Sequence, residues 1–267
     1  MAITTLDGVI AGMQPPEEFL KVGAGTQVVG RMYSPFYVTG RPGAAIAPTP
    51  GLSGEALTTY AGQIPFTNGA ADDYLARFAA QSLTTGTLFL CDRLWHNSGI
   101  VITQTTAQTI NSATWPARDN AASTNGSGIR LGLEVSTVTG AGAAVVSAVY
   151  TNQAGTGSRT ATCRPAYTAA SVVGTFYDFS LDAGDSGVRS VQTYTASVSM
   201  TSGVVHLVAY RVLARIGINL ANAEYAVDAL TSGMPKLHNN TVPFLLWLPA
   251  VTTAPSLISG HVVYTHG

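Results

Sequence analysis

From Ile129 to Leu213 apolar and polar residues alternate with a period of two, and few folds accommodate that rhythm over such a length. In Ile129–Thr137 the residues Ile129, Leu131, Leu133 and Val135 fall on one side, Arg130 and Glu134 on the other. Ala144–Tyr150 follows, then a turn over Asn152–Gly157 and a return over Arg159–Pro165. Further runs lie at Thr175–Leu181, Ser190–Met200 and Val204–Leu213. Runs rich in Val, Thr and Tyr, punctuated by Gly, Asn and Asp, predict an antiparallel sheet. Thr87–Leu94 and Thr241–Leu248 are nearly continuous apolar runs and predict buried strands. Ile100–Ile110 resumes the alternation after a turn at Trp95–Gly99, and Leu257–Tyr264 closes the chain. Roughly nine or ten strands of modest length fit an all-β, jelly-roll-like β-sandwich with its first and last strands paired in the core.

Two stretches depart from the pattern. Asp72–Leu83 carries Leu75, Phe78, Ala79 and Leu83 at helical spacing behind a pair of aspartates, with Gly86 beyond; it predicts the one short helix. A second short helix is compatible with Ala221–Leu230. Residues 1–70 are crowded with Pro and Gly, which weaken strand interiors, yet they include Phe19, Tyr33, Phe36 and Tyr37, which are costly to leave in water. An extended apolar arm lying on a neighbouring subunit satisfies both facts, as does a compact loop lying on its own domain. The expected organisation is an arm over 1–70 and a sandwich domain over 71–267.

Charged residues make up 10% of the chain, against about 25% in an average domain, and the net charge is −1. Burial of surface between subunits depletes charge in this way, and a neutral, Thr/Ser-rich surface like that of extracellular β proteins does so too. The basic residues are scattered and only Lys21 and Lys236 are lysines, which excludes a basic nucleic-acid face. No stretch approaches the ~20 apolar residues of a membrane helix. The first residues lack the basic and apolar regions of a signal peptide, so the expected place of synthesis and assembly is the cytoplasm. Cys91 and Cys163 sit in apolar strand patterns and read as buried free thiols, with a disulfide between them as the alternative.

Catalytic signatures are missing. Thr124–Gly128 only superficially resembles a nucleophile elbow, Gly23-Ala24-Gly25 is not a dinucleotide fingerprint, and the five histidines are dispersed. Neither a cofactor nor an enzymatic activity is expected. Asp178, Asp182 and Asp185, around a Gly-rich turn, are the weak candidate for a calcium site; turn chemistry explains the same residues. The sequons at Asn125 and Asn239 read as chance. The long polar loop from Trp115 through Arg118 to Gly128 is of a length usually functional or interfacial. Phe19, Tyr33, Phe36, Tyr37, Trp115 and Arg118 are therefore the candidate interface residues.

Several segments resemble structural proteins of tailed-bacteriophage virions: Leu94–Ile100, Tyr150–Ala161, Leu181–Gln192, His206–Leu213 and Pro243–Pro249. The resemblance runs from about Thr84 to the C-terminus and carries no residue roles. It implies a virion component assembled in the bacterial cytoplasm, foremost a capsid decoration (cement) protein. Such a protein contacts the major capsid protein and copies of itself, usually as a trimer, with no membrane or direct nucleic-acid contact. The alternative is a tail, baseplate or host-attachment protein in which Trp95 and Trp115 stack on sugars. A β-sandwich glycan-active enzyme is the more distant third reading.

Overall fold

The computed structural model describes residues 3–233 and 235–267. In chain order the elements are α1 (Leu6–Ala11), β1 (Glu17–Val22), β2 (Met32–Tyr33), a 3-10 turn (Pro35–Tyr37), β3 (Gly40–Arg41), β4 (Glu55–Ala56), β5 (Asp73–Ser82), β6 (Gly86–His96) and β7 (Gln108–Thr109). They continue with β8 (Arg130–Thr137), β9 (Val146–Asn152), β10 (Arg159–Arg164), β11 (Thr175–Ser180), β12 (Val188–Ala196), β13 (Val204–Ile218), β14 (Tyr225–Asp228), α2 (Ala229–Ser232), β15 (Lys236–Leu237), β16 (Pro243–Pro249) and β17 (Leu257–His266). All pairings between these strands are antiparallel, and the fold is the expected all-β, jelly-roll-like sandwich.

The strands form two sheets. The larger runs β2-β16-β6-β13-β8-β11-β10-β9-β12-β7, and β2 pairs a second time with β11. Six of its strands therefore close on themselves as a small barrel, β2-β16-β6-β13-β8-β11, while β10, β9 and β12 curl back over one wall. The smaller sheet runs β14-β5-β17-β1-β3, with β15 also on β5.

Alternation assigns each side chain its layer. On β8 and β13, Leu131, Leu133, Val135, Val205, Leu207 and Ala209 face the largest core, against Ala148, Tyr150, Val191 and Tyr194 of β9 and β12. Their alternates point into the barrel, where Val208 and Tyr210 pack with Cys91, Phe176, Phe244 and Leu246. The small sheet covers the outside of the barrel, with Phe19, Phe78, Val262 and Tyr264 packed on Leu88, Leu90, Leu245 and Trp247. Burial of this kind stabilises by about 25 cal/mol per Å² of apolar surface.

Four expectations are corrected. Asp72–Leu83 is not a helix: Asp73–Ser82 is β5, a central strand between β17 and β14. Leu75, Ala76, Phe78, Ala79 and Ala80 are all buried, so the strand is covered on both faces and shows no alternation. Residues 1–70 are not an arm. β1 pairs with β17 over six residues, β2 closes the barrel, and Phe19, Tyr33 and Phe36 are buried in their own chain, with Tyr37 partly so. Ile100–Ile110 is largely irregular. Only β7 is a strand there, and the Gln108 side chain substitutes for a ladder by accepting from Val101 N–H at 2.8 Å and donating to its carbonyl at 2.9 Å. Within Ala221–Leu230, Tyr225–Asp228 is strand β14 and α2 starts only at Ala229.

Candidate functional site

The densest group of polar side chains lies inside the barrel. Arg93 of β6 and Glu134 of β8 form an ion pair at 2.8 Å, both side chains fully buried. The Tyr37 hydroxyl donates to Glu134 Oε2 at 2.9 Å, and the Arg93 guanidinium lies over the Phe36 ring at 4.8 Å and near that of Phe244 at 5.5 Å. Arg93 Nε donates to His96 Nδ1 at 3.2 Å, and His96 Nε2–H then donates to Glu55 of β4 at 3.0 Å. On β13, His206 Nδ1–H donates to the Asn97 carbonyl at 2.8 Å and Nε2 accepts from the Ser136 hydroxyl at 2.8 Å.

A local irregularity makes this arrangement possible. Side chains three apart on a regular strand point to opposite faces. The β6–β13 register shifts between the pairs Trp95–Ala209 and Arg93–Tyr210, so Leu94 is an extra residue and both Arg93 and His96 point inward. The electrostatics follow from burial. His96 is held down to about 2, first by desolvation and then by the Arg93 and His206 charges. His206 is lowered too, again chiefly by desolvation. Both imidazoles are neutral at ordinary pH. Burial opposes the Arg93 charge, but Glu134 and Tyr37 outweigh it and raise its pKa. Arg93, Glu134 and His96 are fully buried, and the cluster reaches the surface through Glu55, whose side chain is half-exposed. Arg93 Nη1 and Glu134 Oε1 are buried without a protein partner.

The loop candidates also turn inward. Arg118 pairs with Asp92 through Nε at 3.0 Å and Nη2 at 3.1 Å, and donates to the carbonyls of Leu57 and Arg93 at 2.7 and 3.1 Å. Trp115 stands edge-on to Trp95 at 5.3 Å, and both are buried. Asp119 organises the rest of the loop by accepting from Ala121, Ser123 and Ser127. Burial alone would raise its pKa, but these bonds outweigh that cost and lower it. Of the six candidate interface residues, then, Phe19, Tyr33, Phe36, Trp115 and Arg118 serve the chain's own interior, and the Tyr37 hydroxyl belongs to the barrel cluster. The two tryptophans offered for sugar stacking are engaged with each other.

The three aspartates are not brought together as ligands. Asp178 faces the barrel, where Tyr210 donates to it at 2.9 Å and Arg130 lies 3.4 Å away. Asp185 accepts from Tyr150 at 2.5 Å, Asn152 at 2.6 Å and Arg159 at 2.9 Å, which fixes the 182–187 turn. Asp182 lies 3.5 Å from Arg159. Among the described residues no group of three His, Cys, Asp or Glu side chains is placed to hold a metal. Cys91 and Cys163 are free and buried, in separate cores, and burial pushes both thiols well up.

Beside exposed charges such as Glu18, Arg41, Arg77 and Glu224, the surface carries aliphatic side chains. Leu6, Ile10, Met13, Leu20, Val22 and Ile46 are exposed in the first part of the chain. At one end of the sandwich, loops 138–145 and 197–203 pack on each other through Gly140 and Ser197 and carry no charged residue. Val138, Val145 and Val198 are exposed there, with Val204 at the start of β13.

No family model and no curated protein matches the chain. Among solved structures, the crystal structure of the infectious bursal disease virus VP2 subviral particle aligns over 96% of this chain and 82% of that one, at 8% identity and a TM-score of 0.13. A superposition at that level carries no argument.

Proposed function

We propose that the chain is a structural protein of a tailed-bacteriophage virion, a capsid decoration (cement) protein that binds the major capsid protein and copies of itself. The observation that supports this reading best is the contrast between interior and surface. Two ion pairs, Arg93–Glu134 and Arg118–Asp92, are engaged inside the chain, while aliphatic side chains and a charge-free end of the sandwich are exposed. Exposed apolar surface of this kind marks contact sites. The work of such a protein is contact area between neighbours. With residues 1–70 folded into the domain, that contact is made by the compact body.

Light scattering on the purified chain, followed by mixing with heads that lack it, tests the reading. A trimer that binds heads stoichiometrically and protects them against heat is the expected result. A monomer that ignores heads but binds host cells would replace the proposal with an attachment role.

A further inference from the structure

Three groups from separate parts of the chain meet at one end of the barrel, where β6 and β8 finish and β13 begins. His206 of β13 is 1% exposed and lies opposite Glu134 in the β8–β13 ladder. Its Nδ1 is 2.8 Å from the Asn97 carbonyl, which can only accept, so in the neutral ring the proton sits on Nδ1 and Nε2 carries the lone pair. Nε2 in turn lies 2.8 Å from Ser136 Oγ and accepts from it. Asn97 is itself pinned: its side chain accepts from the Leu207 N–H at 2.8 Å and donates to the Leu52 carbonyl at 3.1 Å.

The β8–β13 register shifts between the pairs Val204–Thr137 and Val205–Val135, which makes Ser136 an extra residue; bulges of this kind re-aim a side chain. Ser136 is partly exposed, beside exposed Thr137 and Val138, so solvent reaches it on one side and buried His206 on the other. Desolvation lowers the His206 pKa; the Asn97 carbonyl and Glu134 raise it, Arg93 lowers it, and desolvation prevails. The imidazole is thus neutral and free to take a proton. A serine hydroxyl bonded to a neutral imidazole that a third group orients is the arrangement that activates a nucleophile. No local motif announces it, because its members are residues 97, 136 and 206.

We propose that Ser136 is a nucleophile that takes the acyl group of small activated carboxylic esters, with His206 as its general base. Ser136 Oγ attacks the ester carbonyl carbon while its proton passes to His206 Nε2. The bond to the leaving oxygen then breaks, that oxygen takes the proton and departs as an alcohol, and Ser136 is left esterified. A water deprotonated by the same nitrogen attacks this ester, the proton returns to Ser136 Oγ, and the carboxylic acid leaves.

Release of 4-nitrophenolate from 4-nitrophenyl acetate by the whole chain, with the acetylated peptide mapped by mass spectrometry, tests it. The expected result is a burst of about one equivalent per chain, with the acetyl group on Ser136. Ser136→Ala should abolish the burst, and His206→Gln should slow it about a hundredfold. Should His206→Gln not fold, the pH profile replaces it: the neutral base holds the burst rate level down to about pH 6.5, whereas an unassisted serine loses about tenfold per pH unit. No burst, acetyl groups confined to other residues, an undiminished burst in either folded variant, or a rate that falls steadily with pH would overturn the proposal.

Discussion

Arg93 and Glu134 hold each other's charge with both side chains fully buried, so neither is tolerable alone. Removing one partner of a buried pair costs about 3–5 kcal/mol, because the other charge stays behind unpaired. Arg93→Met and Glu134→Leu are each expected to lose about that much in urea unfolding, and the double variant less than the sum. His96 and His206 add a pH dependence whose sign is fixed. Their folded pKa values lie below 6.5, so the unfolded chain binds more protons in acid. Their contribution is complete well above pH 6.5 and is lost progressively as pH falls below it, for His96 down to about 2. Urea midpoints between pH 8 and pH 4 should fall, and His96→Gln should flatten the fall; an unchanged slope would exclude His96 as its source.

At the scale of strands, β8 illustrates how tightly the barrel is filled. A Cβ on Gly132 would stand 2.1 Å from the Phe176 ring, which is itself fully buried. Gly132→Ala is expected to destabilise by about 1–3 kcal/mol, the usual cost of overpacking, as read from the thermal midpoint. The alternation in β8, β9 and β13 was legible because each has distinct environments on its two faces. β5 was not, since a strand buried on both sides loses the period of two, and its Leu75–Phe78–Ala79 spacing then mimics a helix. The inward pair Arg93 and His96 was equally hidden: their spacing puts them on opposite faces of a regular strand, and only the extra residue Leu94 reunites them. Trp115 and Arg118 read as surface because a polar loop surrounds them. Nothing local announces that Asp92, on another strand, turns the loop inward.

For the whole molecule, the decisive correction concerns residues 1–70. Proline and glycine density pointed to an arm, but short strands with long turns use those residues too. Deleting 1–70 removes β1, strips Phe19 from Phe78 and opens the barrel at β2. The truncated chain is expected to aggregate or lose its cooperative unfolding transition, as seen by near-UV circular dichroism and a calorimetric scan. A truncated domain with native spectra would restore the arm.

The pairing of β1 with β17 also imposes an order in time. Glu17 meets Val262 and Val22 meets Leu257, nearly the whole chain apart. During synthesis the first of these strands waits, without its partner, until some 235 further residues have been made (from 22 to 257). Folds dominated by such distant pairings close slowly. The β1–β17 edge of the small sheet therefore cannot close until residues 257–262 have been made, and until then Phe19 lacks the strand it pairs with.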